Sequence, residues 1–184
     1  GFATRGLARR VAARIARHLS SEHHWRIGLR ACGPGAGVMD RLGWPDAAWS
    51  WLPDDRRRYY ADPFFFAHEG TTYLFCEEYP YATGKGVIAV STLDAQGRAS
   101  TPRVVLERPY HLSYPLVFRH AGEIWMTPES CAADALELYR AVDFPSRWTL
   151  ERRMIEGVAI SDATIFPHQG RFWVTATTCE QGSS

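Results

Sequence analysis

Asp62 and Asp162 each stand near the head of a short apolar run, in "ADPFFF" and "SDATIF". Glu77 and Glu129 lie further along, in "CEEY" and "PES". Carboxylate pairs divide acid and base work at a glycosidic bond, and their separation decides the stereochemistry. These four are the candidate catalytic residues. Glu78 adjoins Glu77, and alternation along a strand sends the two to opposite faces, so at most one faces a shared site. The same glutamates could instead cap turns or pair with arginines. Tyr59, Tyr60, Tyr79, Tyr81, Tyr110 and Tyr114 could stack on sugar rings or fill a core. Ser113, Tyr114, Glu78, Tyr60 and Tyr79 are carried as candidate substrate-binding residues.

What must position these groups is a repeat. The segments "ADPFFFAHEGTTYLF" (61–75), "SYPLVFRHAGEIWMT" (113–127) and "SDATIFPHQGRFWVT" (161–175) align without gaps. Asp62, Tyr114 and Asp162 correspond, as do Phe66, Phe118 and Phe166, then His68, His120 and His168, then Gly70, Gly122 and Gly170. Glu77, Glu129 and Thr177 are likewise equivalent. Each copy predicts an apolar strand, a His-x-Gly hairpin turn and an aromatic return strand. Two more strand-like runs follow: "VIAVSTL" and "RVVLER" after the first copy, "LELYRAV" and "WTLERRMI" after the second. Four antiparallel strands in about fifty residues is the makeup of a propeller blade. A sandwich of hairpins is the alternative, but it gives no reason for one register to recur at a fixed period. In a propeller the first strand of each blade lines the central channel, so Asp62, Tyr114 and Asp162 would converge at its mouth. The three histidines fall in the turns and suit turn or packing roles. A closed five-bladed ring needs roughly 250 residues or more. The 184 residues here therefore suggest a fragment of about three blades with an exposed edge, spanning 22–184.

Charge and composition narrow the function classes. Residues 1–30 hold seven arginines against Glu22 alone, and the rest of the chain is mildly acidic, which argues against nucleic-acid binding by that part. Leu7, Val11, Ile15 and Leu19 recur every fourth residue among arginines. Residues 1–21 therefore read as a basic amphipathic helix, either a linker docking one stripe or a helix on an anionic membrane surface. "ACGPGAGVMDRLGWP" has glycines but no room for the helix that a phosphate-binding loop must open, so it reads as a loop. Cys32, Cys76, Cys131 and Cys179 are widely spaced with no C-x-x-C pair, which speaks against a zinc site and fits free thiols in a reducing, cytoplasmic compartment. No run reaches the ~20 apolar residues of a membrane span, and the N-terminal segment has charge but no apolar h-region, so it does not read as a secretory signal. No metal and no cofactor is expected.

"ADPFFF" with its "TTYLF" return resembles the first blade of the five-bladed propeller glycosidases, such as glycoside hydrolase family 43 and the invertase and levansucrase groups. The strings "YYADPFFF", "EEYPYATGKGVIAV", "VVLERPYHLSYPLVF", "TPES", "LYRAVDFPSRW" and "SDATIF" together resemble the N-terminal propeller domain of plant glucosamine inositolphosphorylceramide transferases. Bacterial proteins carry a similar domain, some beside a formyltransferase-like domain. By this resemblance Asp62 matches the general base or nucleophile position. At the blade-two position, where the hydrolases carry an Asp, this chain has Ser113-Tyr114, and Asp162 replaces the expected Glu acid of blade three. The resemblance thus implies a carbohydrate or sugar-conjugate ligand and a neighbouring transferase domain in the full-length polypeptide. The expected function is a carbohydrate-active propeller that binds or processes a sugar conjugate in support of glycosyl transfer. The alternatives are an autonomous hydrolase using Asp62 and Asp162, and a purely structural propeller.

Overall fold

A computed structural model describes residues 24–30 and 49–178. The basic segment 1–21, the glycine-rich loop 31–45, Cys32 and Cys179 lie outside the described residues. Among the described residues the chain is all-β, with one short 3-10 turn at Cys131–Ala133 and no α-helix.

The pair β1 (Gly28–Leu29) and β2 (Ser50–Trp51) precedes the repeats. The first four-stranded antiparallel sheet runs β3 (Arg58–His68), β4 (Thr71–Pro80), β5 (Val87–Leu93), β6 (Arg103–Leu106). The second runs β7 (Ser113–His120), β8 (Glu123–Glu129), β9 (Ala135–Asp143), β10 (Arg147–Glu156). A hairpin of β11 (Ile160–His168) and β12 (Arg171–Thr178) follows. Each repeat hairpin closes through two residues of positive φ: Glu69-Gly70, Ala121-Gly122 and Gln169-Gly170. That is the backbone a type I′ turn requires, and a glycine in second place supplies it at least strain. The His-x-Gly motif thereby fixes the register of all three hairpins.

The sheets stack face to face. Phe75, Ile88, Val90 and Leu106 of the first sheet meet Val117, Ile124, Met126, Tyr139 and Trp148 of the second. The other face of the first sheet buries Tyr60, Leu74, Cys76 and Ala89 against Ile27, Leu29 and Leu52 around the β1–β2 pair. Leu136 of the second sheet packs on Ile160 and Ala163 of the third. The turn histidines help join the sheets: His68 Nδ1 lies 2.7 Å from Arg119 Nη2, and the His120 ring meets Phe172 edge-on at 4.7 Å. Among the described residues no further sheet covers the outer face of the third. Phe172 and Trp173 on β12 are 47% and 48% exposed, and among the described residues β12 pairs only with β11.

The first strands β3, β7 and β11 are neighbours, and each carries a bulge at the same place. From Ala61 to Phe64 the first strand advances three residues while its partner retreats two, from Glu77 to Phe75. The extra residue is Asp62 in the first sheet, Tyr114 in the second and Asp162 in the third. All three are left-handed, with φ of 49°, 45° and 54°. Aspartate tolerates this region, whereas a bulky tyrosine in it is strained. Tyr114 is held there: its backbone N–H donates to Asp62 Oδ2 at 3.2 Å, and its hydroxyl lies 3.1 Å from Thr164 Oγ1 on β11. Tyr114→Phe is expected to lower the unfolding free energy by ~1 kcal/mol in urea titrations. A loss indistinguishable from zero would remove this bond from the forces joining the second and third sheets.

Candidate functional site

The bulges bring four carboxylates from three sheets together. Glu77, directly opposite Ala61 on β4, is 4% exposed. Its Oε1 is approached by Tyr59 Oη at 3.4 Å and by His111 Nε2 at 3.3 Å. Glu129, opposite Ser113 on β8, accepts a hydrogen bond from the Ser113 side chain. Its Oε2 also accepts the backbone N–H of Asp162 at 2.9 Å. One arrangement thus serves twice. A carboxylate of one sheet receives the bulge N–H of the next, Asp62 from Tyr114 and Glu129 from Asp162.

Asp62, Glu77 and Glu129 are within electrostatic reach of one another, and Asp162 is within reach of Glu129. Burial pushes the Glu77 carboxyl up to about 7, and the charges of Asp62 and Glu129 add to the rise against the Tyr59 hydrogen bond. Burial also raises Glu129, assisted by Asp162 and Asp62 and opposed by the bonds from Asp162 N–H and Ser113. Among the described residues, the Arg and Lys ion pairs leave Asp62, Glu77, Glu129 and Asp162 without a cationic side chain. His111 does not fill that role, because burial lowers its proton affinity, with only Asp62 opposing. Chemically this is a polar, acceptor-rich site in which one carboxyl holds a proton near neutral pH. Among the described residues no His, Cys, Asp and Glu side chains converge as metal ligands.

Tyr79 shares the face of Glu77. Its ring stacks on Tyr59, with centroids 4.8 Å apart and planes 4° from parallel, and lies 5.9 Å from His111. Tyr114 stands between the sheets, edge-on to Phe64 at 4.8 Å.

Two expected site residues are elsewhere. Glu78 is 2% exposed and ion-paired with Arg58, which also bonds Asp55 at 3.2 Å. Tyr60 lies directly opposite Glu78 and is 7% exposed in the core beside β1 and β2. The reason is pleat: residues 60 and 78 project from the opposite face to 59, 77 and 79. Neither reaches the carboxylate cluster. Conversely, His111 was not a sequence candidate. It lies in the connection between β6 and β7, and no spacing links it to Glu77.

The family profile described as "Glucosamine inositolphosphorylceramide transferase 1, N-terminal" matches residues 54–184, which includes every repeat and all four carboxylates. The chain belongs to this family. The curated relatives named glucosamine inositolphosphorylceramide transferase 1 include one from Arabidopsis thaliana, 39% identical over 115 residues, covering 62% of this chain and 15% of the relative. That from Oryza sativa subsp. indica is 37% identical over 118 residues, covering 64% and 16%. The chain therefore spans about 15% of the length of these transferases. Among solved structures, the protein titled "Bacteroides ovatus Xyloglucan PUL GH43B" superposes with a TM-score of 0.50 at 15% identity, over 64% of this chain and 23% of that one. This likeness concerns fold alone.

Proposed function

We propose that this transferase N-terminal domain is part of a five-bladed propeller of the glycosidase type, with the three sheets as successive blades. We propose further that it binds a sugar conjugate at the carboxylate cluster in support of glycosyl transfer by the rest of the polypeptide. One observation carries the site: Asp62, Glu77, Glu129 and Asp162 gather from three sheets with no described arginine or lysine paired to them. A purely structural channel has no use for such unpaired acidity, which costs stability. The relatives' name combines glucosamine, inositol, phosphoryl and ceramide groups. Of these, hydroxyls and an ammonium suit carboxylate acceptors, whereas a phosphate is repelled. Tyr79, stacked on Tyr59, offers an aromatic face to a sugar ring.

Autonomous cleavage is the second reading, favoured by the proton that Glu77 retains beside Asp62. A carboxyl of raised pKa paired with a second carboxylate is the division of labour that glycoside hydrolysis uses. In that reading Glu77 is the proton donor to the leaving group and Asp62 the base.

Calorimetry with glucosamine and glucosaminyl-inositol, together with release assays on aryl glycosides, separates these readings. For a binding site, Asp62→Asn weakens the amino-sugar ligand by ~10-fold or more, with no turnover in either protein. For a hydrolase, the same change abolishes turnover while affinity holds. No binding and no turnover in the unmodified chain would leave only the structural role.

A further inference from the structure

The β1–β2 pair has two unlike faces. Ile27, Leu29 and Leu52 are buried against Tyr60, Leu74 and Cys76 of the first sheet. Alternation sends the residues between them outward: Arg26, Gly28 and Arg30 on one chain, Trp49 and Trp51 on the other. Trp51 stands directly opposite Gly28. A Cβ at position 28 would come within 2.9 Å of Trp51 Cζ3 and 3.1 Å of Trp49 Cε3. Both indoles therefore lie against the Gly28 backbone, and a side chain there would push them off. The two rings are 6.2 Å apart. The Arg26 guanidinium sits over the Trp51 ring at 4.9 Å and the Arg30 guanidinium over the Trp49 ring at 5.6 Å. This aromatic surface is open to solvent: Trp51 is 52% exposed and the neighbouring Trp25 58%.

Charge at this end of the molecule is mostly of one sign. Residues 24–30 and 49–58 carry Arg26, Arg30, Arg56, Arg57 and Arg58 against Asp54 and Asp55. Asp54 is mostly buried and shared among His24 at 3.0 Å, Arg26 at 3.5 Å and Arg56 at 3.4 Å. Asp55 pairs with Arg58 at 3.2 Å, and Arg58 also takes Glu78. The acids are thus consumed within the segment, and the arginines remain in excess. More positive charge joins the chain just before β1, since residues 1–30 hold seven arginines against Glu22 alone.

We propose that the outer face of the β1–β2 pair, with Trp25 beside it, docks on the surface of an anionic lipid bilayer. Indoles settle at the boundary between headgroups and hydrocarbon, where the ring is in apolar surroundings and its N–H stays wet. Guanidinium groups around them meet the phosphates and carboxylates of the headgroups. Charge complementarity selects this partner, because an arginine excess on an exposed aromatic face matches a negative, partly apolar surface. A neutral sugar ring is the poorer fit: it stacks on an open aromatic face, and guanidinium groups already cover the rings of Trp49 and Trp51. The pair packs on the Tyr60 side of the first sheet, and Glu77 projects from the other side. The docking face is therefore separate from the carboxylate cluster, and the proposal does not depend on the sugar-site reading.

The test is co-sedimentation of the full chain with phosphatidylcholine vesicles, prepared with and without phosphatidylserine. The chain should bind the vesicles that contain phosphatidylserine, bind the others much less, and be released by ~0.5 M salt. Trp51→Ala should weaken binding by ~10-fold through lost apolar contact, and Arg26→Gln by ~5-fold through lost charge. Trp173→Ala removes an indole of similar exposure on β12 and should change nothing. Hydrogen exchange of the unmodified chain needs no substitution, so a variant that fails to fold does not block the test. Added vesicles should slow exchange at residues 26–30 and 49–52. Protection confined to residues 1–21 overturns the proposal, as does equal binding to both vesicles or to neither. Equal weakening by Trp51→Ala and Trp173→Ala overturns it too. Retention on immobilised polygalacturonate that Trp51→Ala abolishes, without vesicle binding, would assign the face to an acidic glycan instead.

Discussion

Gly86→Ala is expected to cost ~3 kcal/mol or more of unfolding free energy. The new Cβ would sit 2.5 Å from the backbone oxygen of Leu112, an atom that cannot rotate away, and 2.7 Å from Glu77 Oε1 and His111 Cε1. Relief requires the β6–β7 connection to lift off, which breaks the Leu112–Gly86 backbone pair and the Gly86–His111 bond together. Leu112 and Ser113, both buried, would move with it. Against a total stability of about 5–15 kcal/mol for a domain of ordinary size, the loss is large. Gly70→Ala is the control. There the cost is conformational, from a φ of 75°, and nothing lies within 4 Å of the added carbon, so a loss of only ~1 kcal/mol is expected. Urea unfolding of both variants measures the difference, and equal losses would mean that crowding at Gly86 is relieved without moving the backbone.

Glu77→Gln is expected to stabilise the chain above neutral pH and to leave it nearly unchanged in mild acid. The folded carboxyl titrates at about 7 against the ordinary 4.5 of a free glutamate, because burial and the charges of Asp62 and Glu129 oppose its ionisation. Between these values the folded chain binds more protons than the unfolded one. Stability therefore falls as pH rises from about 4.5 through about 7 and levels off above. The full loss is roughly 3 kcal/mol. Glutamine cannot ionise, and its amide oxygen can still accept from Tyr59. The variant should thus gain up to roughly 3 kcal/mol at pH ~8 and almost nothing at pH ~5. Thermal or urea unfolding at the two pH values decides it. A gain of the same size at both would show that the carboxyl is relieved of its charge by some other route. Should Glu77 serve as a proton donor, the same substitution that stabilises the chain would remove that activity, the usual relation between strained ionisable groups and function.

The repeat made much of this protein legible. Identical spacing of Asp62, Phe66, His68 and Gly70 with their counterparts in the next two copies announced three hairpins of one register, and the turns of positive φ explain why glycine had to recur. The equivalence of Glu77 and Glu129 was readable too, because both lie opposite the residue just before the bulge, Ala61 and Ser113. Alternation said that Glu77 and Glu78 must part company, but not which of them would join the site. That was decided by packing: the β1–β2 pair covers the face of Tyr60 and Glu78, and Arg58 takes the charge of Glu78. The bulge itself left no mark in the hydrophobic pattern, since one extra residue shifts parity without changing composition. Yet it brings the Tyr114 N–H to Asp62 and the Asp162 N–H to Glu129. His111 illustrates the remaining limit. Its place beside Glu77 comes from a backbone contact between Gly86 and Leu112, residues far apart in the chain, and a contact of that kind has no periodicity to read. The sequence by itself determined the strands, their turns and the kinship of the repeats, all of which rest on local backbone preference. Which carboxylates share a site depended on how separate sheets pack, and only the tertiary structure decided that.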